Sequence, residues 1–383
     1  MRRTLGLMLI AALVAIGCTA CLESPGQTSQ ISLVSTSTVN GWKYDFYRNT
    51  AYQCSISGYQ TFVVGTKVGS SPTATAPLWV WLHGGGVGFF DAAGNPTPDT
   101  KQMTEQDAAG LQTGITNAGL AAKVRADAAG FRTLAVSYCN RDLYSGTGQV
   151  DPNNPNKNDA GQARTTNGLL ATKAAIAYVE TAYPTGKYFI AGGSAGSAGS
   201  YYAAWAMQRS GNPPAGVVGD ASVVNVEQGE AAFSQGACTA SHYAPAQTAV
   251  ISKRVDPELA DPANEADRLV ASGRLTVPLL HIWNHGDVNT CGAVSMQCPL
   301  RDGTNVTMGN TDCNHAPLAA AITAQGPTSR SKNLPVCVDS DATPDCSLHV
   351  VTPKAGLTNT DPASPADYNA AAMAWIDARL LDH

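Results

Sequence analysis

The sequence predicts an α/β fold: one domain built on a mainly parallel central sheet flanked by helices. Three observations lead there. Six short apolar runs, β-branched or aromatic in part, are bounded by Gly, Pro or polar residues. Several are apolar at consecutive positions, as strands buried on both faces are. Helical patterns lie between them, and strands alternating with helices give a parallel sheet.

The expected strands, in order, are 59–66 (YQTFVVGT), 77–83 (PLWVWLH), 131–139 (FRTLAVSYC), 187–193 (KYFIAGG), 215–221 (AGVVGDA) and 277–284 (VPLLHIWN). Among the helices, 165–183 sets Leu169, Leu170, Ala174, Ile176, Ala177 and Val179 near helical spacing and stops at Pro184 and Gly186. The Ala-rich segment 103–130 is expected to be helical, and 365–383 reads as a closing helix. Long loops are expected at 84–102, 140–164 and 286–364.

The N-terminus reads as an export signal. Met1-Arg2-Arg3 gives a positive head and Leu5 to Ile16 an apolar stretch too short to span a bilayer as a helix. Residues 1–21 are therefore assigned to the signal, and VAIGC makes Cys18 a candidate lipid-anchoring cysteine. Residues 22–40 read as a flexible tether, leaving 41–383 for the folded domain. The expected location is outside the cytoplasm: extracellular, periplasmic or lipid-anchored at the cell surface.

Of the 383 residues 14% are charged, and the net charge is −5. With no basic run, nucleic acid and anionic membrane are poor partners. No second hydrophobic span appears. Ten cysteines are present, two of them, Cys18 and Cys21, in the signal region. The other eight, in an exported chain, predict disulfides whose connectivity is not readable, with the long loops pinned by them.

The chemistry centres on YFIAGGSAGSAGS, where Gly-x-Ser-x-Gly sits between an expected strand and an expected helix. That context defines a nucleophile elbow, the hallmark of an α/β-hydrolase-like fold. Small neighbours let the turn close and leave the Ser194 hydroxyl accessible. A phosphate-binding loop would need Gly-Lys-Ser/Thr, which is missing. Upstream, His83-Gly84-Gly85-Gly86 ends a strand, as in esterases that draw an oxyanion donor from such a segment. Gly85 or Gly86, together with Ala195, are the expected oxyanion donors, and His83 is expected to be structural.

Asp287, just after a late strand, is the expected acid, with Asp220 as its rival. His281, His285 and Asp287 share one strand face by parity. Four strand residues span about 13 Å, too far for two ligands on one ion, so no metal and no cofactor are expected. The seven histidines reduce to two candidate bases. His83 and His281 are tied to strands, His242 precedes the acid, His285 is too close to it, and His383 ends the chain. His315 and His349 remain, each after a cysteine able to pin a loop.

The chain resembles the pectin acetylesterase and Notum family. CSISGYQTFVV (54–64), WVWLHGGGVGF, VSYCNRDLYSGTG (136–148), AGGSAGSAGS, GDAS (219–222) and CSLH (346–349) follow that family's block order. The resemblance implies an α/β-hydrolase-like fold, metal-free ester hydrolysis, and Ser194, Asp287 and His349 as the triad. Two positions depart. Val87-Gly88 replaces the family's Trp-Cys, and Ser222 replaces a glycine, changing the pocket wall and one disulfide. The expected function is an exported serine esterase removing acetyl or other small acyl groups from a carbohydrate or related ester. A polyester depolymerase, a peptidase and a non-catalytic cell-surface binding module are the alternatives.

Overall fold

The computed structural model describes residues 30–71, 73–97, 103–239, 243–292, 294–337, 347–356 and 367–382. The signal segment, Cys18, Cys21, His242, Cys346 and His383 lie outside the described residues.

A nine-stranded sheet organises the chain. Its strands are β1 (Ile31–Val39), β2 (Trp42–Gln53), β3 (Tyr59–Lys67), β4 (Ala76–Leu82), β5 (Arg132–Val136), β6 (Thr185–Gly193), β7 (Gly216–Asp220), β8 (Leu279–Asn284) and β9 (Lys332–Val336). Across the sheet the order is β1-β2-β3-β5-β4-β6-β7-β8-β9. The first three strands and the β3–β5 pair run antiparallel, and every pairing from β5 to β9 is parallel. All six expected strands are present, and the sheet is mainly parallel as expected.

The helices are α1 (Ala108–Thr116), α2 (Leu120–Ala126), α3 (Gly168–Ala182), α4 (Ala195–Arg209), α5 (Val226–Ser234), α6 (Pro245–Ser252), α7 (Ala266–Ala271), α8 (Asn310–Ala324) and α9 (Tyr368–Leu381). Alternation along the strands sorts the core onto the two faces. Leu78, Val80 and Leu82 of β4 and Ile190 of β6 pack with Ile176 and Val179 of α3 and Ala203 of α4. Trp79, Trp81, Phe189 and Ala191 face the other way, against Leu111, Ile115, Val124, Trp375 and Ile376 of α1, α2 and α9. Burying such side chains stabilises the fold by about 1.5–3 kcal/mol each.

Three expectations need correction. Part of the expected tether is strand: β1 pairs with β2 from Ile31 to Val39, although its side chains stay largely exposed. The segment 103–130 is two helices, because Asn117 leaves helical geometry with ψ at 164° and α2 starts afresh after Gly119. The stretch 286–364 is far from structureless, since it carries a hairpin (Ser295–Pro299 with Asn305–Gly309), α8 and β9.

Disulfides join Cys54 to Cys139, Cys238 to Cys291 and Cys298 to Cys313. Cys337 is disulfide-bonded as well. The second bridge ties the end of α5 to the loop after β8, and the third ties the hairpin to α8. Each closes a loop and so lowers the entropy of the unfolded chain.

Candidate active site

β6 ends at Gly193, α4 begins at Ala195, and Ser194 occupies the turn between them with φ 54° and ψ −128°. That left-handed geometry is costly for a residue with a Cβ and is held by its surroundings. The Ser194 N–H donates to the Asp220 carbonyl at 2.8 Å, and the Ser197 N–H returns to the Ser194 carbonyl at 2.7 Å. Close approach explains the missing bulk around the serine. A Cβ on Gly196 would lie 1.9 Å from the Leu82 carbonyl oxygen, and one on Gly84 would lie 2.7 Å from the Ser194 Cβ.

His349 and Asp287 meet Ser194 in one line of hydrogen bonds. His349 Nε2 lies 2.7 Å from Ser194 Oγ, and His349 Nδ1 lies 2.6 Å from Asp287 Oδ2. Asp287 stands just beyond β8 and caps a single 3-10 turn, its other oxygen accepting the Asn289 N–H at 2.8 Å. It is buried, whereas the His349 ring is partly open to solvent. The Cys238–Cys291 bridge fixes the far end of that turn. Nδ1–H donating to the carboxylate leaves Nε2 as the acceptor for the serine proton.

The other candidates sit elsewhere. The Asp220 carboxylate accepts the backbone N–H groups of Val351 at 3.0 Å and Thr352 at 2.7 Å. Burial pushes its pKa up to about 6. His315 lies inside α8, buried, with Nδ1 3.0 Å from His281 Nε2 and its ring stacked on Trp283. His281 in turn meets the Tyr201 hydroxyl at 2.7 Å. Burial drives both imidazoles toward the neutral form, His281 down to about 3. His285 pairs with Asp312. His83 lies with Nδ1 2.6 Å from the Gly84 carbonyl and Nε2 2.9 Å from Gln106 Oε1, away from Ser194 Oγ. Among the described residues no cluster of three His, Cys, Asp or Glu side chains could hold a metal ion.

The glycine segment after β4 forms a wall of the same site. Gly85 and Gly86 have φ of 147° and 68°, which suits residues without a Cβ. Their carbonyl neighbours are held from behind. The Tyr144 hydroxyl donates to the His83 carbonyl at 3.1 Å and the Tyr138 hydroxyl to the Gly86 carbonyl at 3.0 Å, while Arg254 Nη1 donates to the Gly88 carbonyl. Among the described residues, the N–H groups of Gly85, Gly86 and Ala195 donate no backbone hydrogen bond. All three residues line the cavity at Ser194.

Arg254 is the residue that sequence reading missed. Its guanidinium, fully buried, pairs with Asp151 (Nε to Oδ1 2.5 Å) and donates to the Asn140 carbonyl at 2.7 Å. It thus ties the glycine segment to the loops at 140 and 151. No local signal marks it, since its partners, Ser55 Oγ among them, come from four distant segments.

The cavity has a volume of about 560 Å³ and a mainly apolar lining that includes Leu143, Tyr202, Val224, Ile251, Val255 and Leu259. Val87 and Ser222, the two departures from the family pattern, also line it.

No family model and no curated protein matches the chain. Solved structures do. The Wnt deacylase Notum from Drosophila matches with a TM-score of 0.54 at 14% identity, over 91% of this chain and 93% of that one. That likeness shows a shared fold. More distant matches include carboxyl esterase 2 from the fungus Tuber melanosporum (TM-score 0.43, 12% identity, 80% of this chain and 78% of that one). Another is the glucuronoyl esterase from Solibacter usitatus (TM-score 0.42, 11% identity, 76% and 72%).

Proposed function

We propose that this protein is an exported carboxylic-ester hydrolase working through a serine acyl-enzyme. One observation carries the reading: Ser194 Oγ, His349 and Asp287 stand in a continuous hydrogen-bonded line at the edge of an apolar cavity. Ser194 Oγ attacks the ester carbonyl carbon while its proton passes to His349 Nε2. Asp287 holds the ring and stabilises the imidazolium. The carbonyl oxygen, now an oxyanion, accepts N–H groups of Ala195 and of Gly85 or Gly86, each such donor worth about 10²–10³ in rate. The C–O bond to the alcohol then breaks, and Nε2 returns the proton to the departing oxygen. Water, deprotonated by His349, attacks the acyl-enzyme and frees the acid and Ser194.

The acyl group is the part that the apolar cavity favours, and the cavity is larger than an acetyl group needs. Acetyl and longer acyl groups both fit this reading, with a carbohydrate or related alcohol on the leaving side. Deacylation is also the reaction of the fold neighbour Notum. Export is supported by the disulfides, which persist in oxidising compartments.

A fluorophosphonate probe tests the reading. Mass spectrometry of the labelled, digested protein is expected to place one adduct on Ser194, formed more slowly while p-nitrophenyl butyrate is present in excess. A folded protein that takes no label, or takes it on another residue, would overturn it.

A further inference from the structure

Asp220 is a buried carboxylate beside the elbow that the mechanism above leaves unused. It ends β7, directly across the β6–β7 ladder from Gly193. Its backbone carbonyl accepts the Ser194 N–H at 2.8 Å. Its side chain, buried, accepts two successive backbone N–H groups, Val351 at 3.0 Å and Thr352 at 2.7 Å. The Thr352 carbonyl then accepts the Leu120 N–H of α2 at 2.7 Å. His349 lies two residues before this anchor, on a segment without helix or strand between 348 and 356.

Burying a carboxylate is costly unless charge-assisted hydrogen bonds offset it. Both N–H groups donate to Oδ2, and Val351 N also lies 3.3 Å from Oδ1, so an isosteric amide whose oxygen took both bonds would set its NH2 against the Val351 N–H. The carboxylate therefore fits a fastening role, and it sits where it joins the two halves of the site. One residue fixes the backbone of the serine through its carbonyl and the backbone of the histidine segment through its side chain. Asp287 meets the imidazole ring itself, whereas the backbone carrying it is held before the ring by Asn284 Nδ2 on the Leu348 carbonyl at 3.2 Å and after it by Asp220.

We infer that Asp220 is a positioning residue for the general base, holding the 349–352 backbone so that His349 Nε2 stands at hydrogen-bond distance from Ser194 Oγ. The inference rests on the proposed function for its kinetic consequence but not for its structural one. A displacement of about 1 Å at a reacting group can cost on the order of 10²-fold in rate.

The test uses Asp220→Asn and Asp220→Ala in the full chain, with p-nitrophenyl butyrate kinetics and hydrogen exchange read by mass spectrometry. Both variants are expected to lower kcat by about 10²-fold with KM little changed. Peptides covering 350–354 should exchange faster, while those of α4 keep their protection. If the Asp220→Ala variant proves too destabilised to study, the isosteric Asp220→Asn variant carries both readouts. Wild-type kcat in folded variants, or unchanged exchange over 350–354, would overturn the inference. So would a loss on the order of 10⁴ in Asp220→Asn alongside a nearly active Asp287→Asn, which would make Asp220 the triad acid. A wild-type protein that hydrolyses no ester would instead refute the proposed function, and the exchange data would still decide the role of Asp220.

Discussion

His349 Nδ1 lies 2.6 Å from Asp287 Oδ2, although 62 positions separate the two residues in the chain. The pair orients the ring so that Nε2 faces Ser194 Oγ, 155 positions away. His315, the rival base, directs its Nδ1 to His281 inside the core.

His349→Ala should therefore lower kcat by several orders of magnitude with little change in Tm, since loss of a triad member costs on the order of 10⁶ at most. His315→Ala should leave kcat much closer to wild type and lower Tm instead, because it opens a buried site beside Trp283. Kinetics and melting of the two variants side by side check this. The reverse ranking in well-folded proteins would move the base to His315.

Arg254→Leu should cost about 3–5 kcal/mol, because Asp151 would be left buried without its cation. Urea unfolding measures the loss. Activity should fall as well, since the Gly88 carbonyl loses its donor and the glycine wall its rear support. A variant as stable and as active as wild type would contradict the account of that wall.

Acid should weaken the fold through the buried histidines. Burial depresses the pKa of His281 to about 3 and depresses that of His315, both below the value of about 6.5 in an unfolded chain. In that window the unfolded chain binds more protons, so stability rises with pH and is lost as pH falls below about 6.5. His281 contributes about 2 kcal/mol to the loss between neutral pH and pH 5, and His315 acts in the same direction. Asp220 acts in the opposite sense, because burial raises its pKa and favours the folded state at low pH. Comparing wild type with His315→Gln cancels that common contribution. The fall in unfolding free energy between pH 7 and pH 5 should be smaller in the variant, and an equal fall would count against a neutral buried His315.

Much of this was legible in the sequence, for physical reasons. Strands β3 to β8 are apolar on both faces or nearly so, and a local window sees that. β2 was not, because Lys43, Asp45 and Arg48 interrupt its apolar positions, and β1 is a Ser/Thr-rich edge with little buried surface. α8 carries Pro317 and a polar first turn, which read as loop. β9 is a short edge strand containing Pro335, tolerable only at such an edge. At the site, Ser194 and the glycines announce themselves because the tight turn and the close chain approach need adjacent small residues. The contact of Asp287 with His349 is long-range and came from chain order and family pattern rather than from spacing. The anchoring roles of Arg254 and Asp220 depend on backbone groups from other segments, which only the folded chain brings together.

Ser194 is proposed as the nucleophile of an ester hydrolase, and turnover by Ser194→Ala decides that assignment. The wild-type protein should hydrolyse p-nitrophenyl esters, and the folded variant should lose on the order of 10⁶ in kcat while its melting temperature stays near that of wild type. Turnover near the wild-type rate by a well-folded Ser194→Ala protein would contradict the claim.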